Sequence, residues 1–454
     1  MRPPTGAAVI AAYHDALTPS LAAESWEWLT GQLSRRGLVF GTRPLCTVLR
    51  PRFLTTAEYA QLRGRIPLLL AAFARAHTAA LADPSVMAQF RPEPWEAELA
   101  QGDRPMLEAG ASPLGRVDAF FDPAGGSFKV TEYNAETPAG AAYNDALVEL
   151  FQALPAMRPV MSRFDVRGLP ARAPALHAIL DAWHRWSGRR DRPSIAILDW
   201  PDVPTWSEFL LWQAYFEAMG YPCIVADVRE AEYRGGALWV GGHKVDLVYK
   251  RVLIAELVGR EGLDSPLVRA VRDHAVCMVN PFACKLLHKK ASLAVLSDER
   301  NARLFRAAEQ AAINEHVPWT RLVEERHTTF HGREVDLLPH ILQARDQMVL
   351  KPNDDYGGAG IVLGWEVSDA EWEVAVRRAV AEPFIVQERI GLPSESFPSM
   401  DGANLVFADR IVDTAPFVQG GTHVDGCLSR ISSAALVNVT AGGGSTVPTF
   451  VVGA

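Results

Sequence analysis

Cysteine is scarce in this 454-residue chain: Cys46, Cys223, Cys277, Cys284 and Cys427 are odd in number and widely spaced. Without a C-x-x-C pair, zinc knuckles and dithiol redox centres are excluded, and a reducing, cytoplasmic setting is expected. Long hydrophobic runs are lacking too. The densest, Ile66–Ala74, falls far short of the ~18 residues of a membrane span, so no membrane association is expected. The apolar Ala7–Tyr13 runs into His14 and Asp15 without a cleavage site and reads as a helix start, not a signal segment. Basic charge is not in excess. Forty-five Lys and Arg face 53 Asp and Glu, a net charge of −8, which argues against nucleic acid as a partner. There is neither a G-x-x-x-x-G-K-[ST] phosphate loop nor a G-x-G-x-x-G turn opening a helix, so two common nucleotide-binding devices are excluded.

What is present is an ordinary globular composition, 48% hydrophobic and 22% charged, in a chain long enough for several compact units. Residues 1–100 carry helical signals, such as Ser20–Glu24 and the amphipathic Thr56–Leu81. Residues 101–190 combine a β-hairpin with helices over 141–154 and near 174–187. Residues 191–280 read as a small Rossmann-like layer: strand Ser194–Trp200, helix Ser207–Met219, strands Pro222–Val228 and Val245–Lys250, and a helix ending near Val279, broken by Asn280-Pro281. Residues 281–454 start helical and become β-rich, with glycine clusters at 357–360, 420–421 and 442–444.

The hairpin has the clearest chemistry. Arg116–Asp122 and Ser127–Asn134 alternate in polarity around Pro123–Gly126. If Asp122 and Phe128 close a five-residue loop, Asp118 lies opposite Glu132 and Arg116 opposite Asn134. Opposed like charges are destabilising, so a cation is expected between the carboxylates. An Asp/Glu/Asn oxygen set suits Mg²⁺; the alternative is a solvent-facing strand pair whose carboxylates are merely hydrated.

Later segments carry cations and glycines. The apolar strand Met348–Lys351 precedes a loop with Gly357, Gly358 and Gly360 and a further strand, Ile361–Trp365. Such glycines let backbone N–H groups approach phosphate, although a structural turn reads the same way. Lys285, Lys289 and Lys290 fall within six residues, either a solvated face or cations turned toward an anion. The strand Pro383–Ile390, with Gln387 and Glu388, turns polar at its end, and Arg430 precedes Asn438 and the glycines at 442–444. His327 and His331 have the spacing of a helical metal pair, but β-branched filling and Gly332 argue for strand or loop. Lys250 and Arg251 end a strand of the Rossmann-like layer, where a substrate carboxylate could bind, but read first as a surface basic pair; Cys284 reads as a small buried apolar side chain.

In their order, these motifs resemble the ATP-grasp superfamily, specifically its circularly permuted branch that includes the synthetase domain of glutathionylspermidine synthase. Arg116-x-Asp118…Glu132-x-Asn134-x-Glu136-Thr-Pro, placed near the start, is similar to the R-x-D…E-x-N-x-[DE]-T-P pattern of that branch. Asn280-Pro281…Lys290-Ala291, Lys351-Pro352…Gly357–Gly360 and Arg430…Asn438…Gly442 supply the rest. The resemblance implies an α/β (α+β) ATP-grasp fold with a Rossmann-like pre-ATP-grasp domain over 191–280 and nucleotide-binding subdomains over 281–454. It further implies ATP and Mg²⁺, and a ligase joining a small-molecule or peptide carboxylate to an amine through an acyl phosphate. Asp118, Glu132 and Asn134 would then hold the metal. Lys290, Lys351, Gly357, Gly358 and Gly360 would meet the phosphates, Gln387, Glu388 and Ile390 the adenine, and Arg116 and Arg430 the acyl phosphate. Two departures stand against glutathione and spermidine themselves: the Lys-Pro loop lacks Arg-Glu-Gly, and no Cys/His amidase is attached. A catalytically silent nucleotide-binding scaffold and a phosphotransferase are the alternatives on the same fold.

Overall fold

A computed structural model describes residues 5–103, 110–355, 357–434 and 444–453. Two helices, Gly6–Ala16 and Pro19–Arg35, lead to strand β1 (Arg52–Thr55) and helix α1 (Thr56–Ala82). Helix α1 starts where it does because Thr55 and Glu58 cap each other reciprocally. Its buried residues Leu62, Ile66, Leu69, Phe73 and Ala76 recur at helical spacing. Next come hairpin strands β2 (Leu114–Asp122) and β3 (Ser127–Asn134) and helix α2 (Ala141–Ala153). Strands β4 (Ile195–Asp199), β5 (Cys223–Asp227), β6 (Leu247–Lys250) and β7 (Cys277–Val279) follow, then helices α3 (Cys284–His288) and α4 (Ala291–Ser297). Strands β8 (Thr320–Leu322), β9 (Met348–Pro352) and β10 (Val362–Leu363) precede helix α5 (Asp369–Ala381) and strand β11 (Phe384–Glu388). The chain ends in β12 (Ser394–Asp401), β13 (Asn404–Gln419), β14 (His423–Ser432) and β15 (Gly444–Val452).

Three sheets organise these elements. The largest runs β1-β15-β14-β13-β2-β3, with β12 beside β13 and Val166–Gly168 beside β15. Here β1 and β15 are parallel and the other pairs antiparallel. The early hairpin is thus stitched to the last quarter of the chain, through Arg116 opposite Phe417 and Thr414 opposite Ala119. A second sheet, β7-β6-β4-β5, is wholly parallel. Alternate residues of its strands enter two separate cores, Ala196, Leu198 and Val248 on one face and Ile195, Ile197 and Tyr249 on the other. Burial on both faces is what a parallel sheet requires. The third sheet, β8-β11-β9-β10, is antiparallel and packs on α5 through Leu350, Val386 and Trp372.

Several expectations need correction. Residues 277–279 form strand β7, not the end of a helix; the helices before it are Ile254–Glu261 and Pro266–Arg272. Val276–Val279 is a short apolar run between Asp273-His274 and Asn280-Pro281, too brief for a helix and fully buried beside β6. The first hundred residues are mostly helical, and β1 within them completes the large sheet. After Leu363 the chain turns into a 3-10 segment, so the strand expected over 361–365 is only two residues long. Gly364 permits that turn: a Cβ there would lie 2.0 Å from the Arg345 carbonyl oxygen. Among the described residues no helix is long and apolar enough to cross a membrane.

Candidate functional site

The hairpin places its polar side chains by way of a bulge. Asp122 pairs with Ser127 around a four-residue turn, not with Phe128 around five, which alone would put Asp118 out of line with Glu132. An extra residue, Thr131, restores the register, so Asp118 faces Glu132 and Arg116 faces Asn134 as expected. The hydrated alternative fails for Asp118, which is buried, while Glu132 is partly exposed and paired with a lysine. Val117, Ala119, Phe121, Phe128, Val130 and Tyr133 fill the opposite face against α1, where Phe73 and Tyr133 lie with ring centroids 4.8 Å apart.

Asp118 is the focus of the charge network. Arg116 grips it bidentately, Nε donating to Oδ1 at 2.7 Å and Nη2 to Oδ2 at 2.9 Å. Asn134 Nδ2 donates to Oδ2 at 2.8 Å, and Arg430 Nη2 to the same oxygen at 2.6 Å. Burial would raise the Asp118 pKa, but Arg116 and Arg430 outweigh it and hold the carboxyl below its ordinary value. Arg430 also pairs with Asp413, directly opposite it on β13. Burial, together with the charge of Asp118, pushes Asp413 up to about 6 against the pull of Arg430. Asp413 Oδ1 and Arg430 Nε are buried without a hydrogen-bond partner.

Glu132 meets the later half of the chain, with Lys290 Nζ 3.1 Å from its Oε1. Burial opposes ionisation of Glu132, yet Lys290 keeps its pKa below the usual range. Lys351, on β9, donates to Gln387 Oε1 at 2.6 Å and to the Thr131 carbonyl at 3.4 Å. Gln387 in turn donates to Thr320 Oγ1 at 3.0 Å. Desolvation pushes Lys351 down to about 8. The side chain of Gln387, expected at adenine, is therefore committed to the lysine.

The glycine loop is anchored at its base. The Asn353 side chain accepts from the Ala291 amide at 2.8 Å, the Asn353 carbonyl accepts from the Lys290 amide at 2.9 Å, and Lys290 Nζ donates to the Asp355 carbonyl. Asp354 pairs with Lys285 at 2.6 Å and Lys289 at 3.2 Å. All three lysines are buried, so the solvated-face reading does not hold. Gly357, Gly358 and Gly360 adopt φ of 66°, 77° and 68°, a backbone region that favours glycine.

A cavity of about 160 Å³ gathers most of the expected residues: Asp118, Glu132, Lys290, Lys351, Gln387 and Arg430, roofed by Gly357 and Gly358 and extended by Glu388 and Ile390. Gly360 does not line it; a Cβ at Gly360 would meet Pro352 at 2.7 Å. Arg116 and Asn134 line a second cavity, of about 250 Å³, which shares Glu132, Gly357 and Arg430 with the first. Asn438 and the glycines at 442–443 lie outside the described residues. Sequence reasoning missed Asp413, Phe120 and Trp365 in the first cavity. An Asp inside the apolar run Ile411–Val418 is a signal for Asp413; the two aromatics carry no spacing that marks them.

Lys250 and Arg251 are a further correction, since neither is at the surface. Lys250 Nζ lies 3.5 Å from Glu136, and Arg251 pairs with Glu208 at 3.4 Å. Glu136 also pairs with Lys285 at 3.2 Å and accepts from the Ile254 amide. Cys284 is buried as expected, and His327 and His331 lie on a β-hairpin, with His331 paired to Glu388 at 2.8 Å.

Among the described residues no cluster of three or more His, Cys, Asp or Glu forms a dedicated metal cage. Asp118 and Glu132 are the carboxylates that could hold an ion shared with substrate phosphates, but Asp118 already accepts from Arg116, Asn134 and Arg430, and Glu132 pairs with Lys290.

No family model matches the chain. It is 27% identical over 370 residues to a protein of Frankia casuarinae that carries the provisional name glutamate–cysteine ligase 2-2, covering 76% of this chain and 40% of that protein. It is 26% identical over 454 residues to a Frankia alni protein provisionally named glutamate–cysteine ligase 2-3, covering 90% and 48%. The chain thus spans less than half the length of these relatives. Among solved structures, a glutathione synthetase-like effector from Globodera pallida in its apo form superposes with a TM-score of 0.60 at 13% identity, covering 96% of this chain and 98% of that one. The mixed α/β fold is therefore shared with that glutathione synthetase-like effector.

Proposed function

We propose that this protein is an ATP-dependent carboxylate–amine ligase, built on a circularly permuted ATP-grasp fold with β4–β7 as its Rossmann-like layer. One observation carries the reading. The carboxylates of an early hairpin line one cavity with Lys290, Lys351 and the glycine loop from the later half of the chain, and a second cavity shares its Arg430. The names of the Frankia relatives support amide-bond formation, but the substrates in those names belong to proteins of which this chain covers less than half.

In this reading ATP lies in the smaller cavity, its phosphates toward Lys290, Lys351 and Gly357–Gly358. Its adenine sits beside Trp365, Glu388 and Ile390. Asp118, Glu132 and Asn134 would hold Mg²⁺, which when bound neutralises phosphate charge. A substrate carboxylate oxygen attacks the γ-phosphorus, the bond to the β-phosphate oxygen breaks, and ADP leaves with its electron pair. The amine nitrogen then attacks the acyl carbon, expelling inorganic phosphate and losing a proton. Such chemistry is governed by positioning and charge stabilisation. Arg430, with an unbonded Nε, would steady the acyl phosphate, while Arg116 fixes the orientation of Asp118. The test is ADP release with Mg²⁺ across pools of carboxylic acids and amines. Amide product with ADP and phosphate supports the reading; a stable phosphorylated product would make the protein a phosphotransferase, and no turnover a silent binding protein.

A further inference from the structure

The second cavity has two chemically unlike walls. One comes from the large sheet and carries Arg116, Glu132 and Arg430. The other comes from the carboxyl ends of the parallel strands, where β4 ends in Asp199 and β6 runs into Arg251. In open α/β sheets this edge is where ligands bind. Asp199 stands apart from the other buried charges in both cavities. It is almost completely buried, its Oδ1 accepts only from the Trp200 amide at 2.8 Å, and among the described residues it makes no ion pair. The cations on its own edge are committed elsewhere: Lys250 to Glu136, and Arg251 to Glu208 and the Tyr249 hydroxyl. Glu208 is itself fixed, accepting from the Gly140 and Ala142 amides at the start of α2. A buried carboxylate without a contacting counter-ion is costly; desolvation raises Asp199 to about 6 against the more distant pull of Arg251, whose Nε is unbonded, and Lys250. A ligand cation would remove that cost.

We propose that the 250 Å³ cavity binds a free amino acid as the acid substrate, with its ammonium group on Asp199 and the carboxylate to be activated turned toward Arg116 and Arg430. The direction of the carboxylate rests on the ligase reading; the ammonium site rests on Asp199 and the cavity. The carboxylate of Asp199 on one wall and the guanidinium groups of Arg116 and Arg430 on the other match the two opposite charges of a free amino acid.

The experiment uses the full chain in thermal-shift titrations with each of the twenty proteinogenic amino acids beside its N-acetyl counterpart, with and without Mg²⁺ and the non-hydrolysable analogue AMP-PNP. At least one free amino acid is expected to stabilise the protein, with its N-acetyl form binding at least ~10-fold more weakly, the worth of one charge-assisted contact. Asp199→Asn is expected to show the same loss for the free amino acid while keeping the wild-type AMP-PNP shift. Absence of stabilisation by any amino acid, equal binding of free and N-acetylated forms, or undiminished binding by a folded Asp199→Asn would overturn the proposal. The wild-type comparison decides the matter even if Asp199→Asn does not fold. Absence of an AMP-PNP shift would instead strike the nucleotide reading, leaving the ammonium test intact.

Discussion

At the scale of single residues, charge compensation dominates. Glu132 is held ionised by Lys290, so Glu132→Gln keeps the side-chain shape but removes the charge that, in the proposed reading, would face the metal and phosphates. Mg²⁺-dependent ATP turnover should fall by ~10² or more, the scale of losing one preorganised electrostatic group, with a small change in melting temperature; ADP release and thermal unfolding check both. Gln387→Leu removes the partner that orients Lys351. At ~1.5–3 kcal/mol for a hydrogen bond to a charged group, KM for ATP should rise roughly tenfold or more while the fold persists. Asp103 is informative about pH. Burial raises it to about 7 although it accepts from the Ala283 amide at 2.7 Å. Since the folded pKa exceeds the unfolded one, the unfolded chain binds fewer protons in between, and stability should decline as pH rises from about 4 to about 7. Asp103→Asn should flatten that decline, as read from denaturant midpoints across this window. The facing of Asp118 and Glu132 was legible in their alternation, but not which cations stand beside them. Arg430, Lys290 and Asp413 arrive from strands and helices far along the chain, so only the folded arrangement shows that guanidinium and ammonium groups already answer the carboxylates.

Among elements, the hairpin shows where pattern reading succeeds and where it stops. The facing of Asp118 and Glu132 was anticipated, but through a wrong loop length; Thr131 supplies the compensating residue. A bulge leaves no mark in polarity, because alternation continues on either side of it. Likewise β7 is too short to display a period, and its strand character comes from pairing with β6. Within β2, Gly115 lets Tyr133 and Val418 lie across the strand: a Cβ there would meet them at 2.8 and 2.7 Å. Gly115→Ala should therefore cost ~1–3 kcal/mol by overpacking, seen as a lower denaturation midpoint. Gly37→Ala would not serve as its control, since Gly37 has a φ of 60° and Ala is strained there whatever the space.

For the whole molecule, Glu136 ties three units together: it follows hairpin strand β3, pairs with Lys250 of the parallel sheet, and meets Lys285 of α3, which also holds Asp354 of the glycine loop. Glu136→Gln leaves two buried lysines poorly matched and should cost ~3–5 kcal/mol, measured by equilibrium unfolding. The motif order along the chain made the meeting of its two halves legible, and Lys351 does reach the carbonyl of Thr131, the neighbour of Glu132. The burial of Lys250 and Arg251 was not legible, because their carboxylate partners lie in other segments and a basic dipeptide at a strand end reads as exposed. The most direct measurement of the proposed activity is mass analysis of a reaction of the full chain with ATP, Mg²⁺ and pooled amino acids and amines. A product equal in mass to acid plus amine less water, formed with equimolar ADP and inorganic phosphate and lost in Glu132→Gln, is the expected result. ATP left unconsumed by the folded protein, or its phosphate recovered on a stable acceptor, would contradict it.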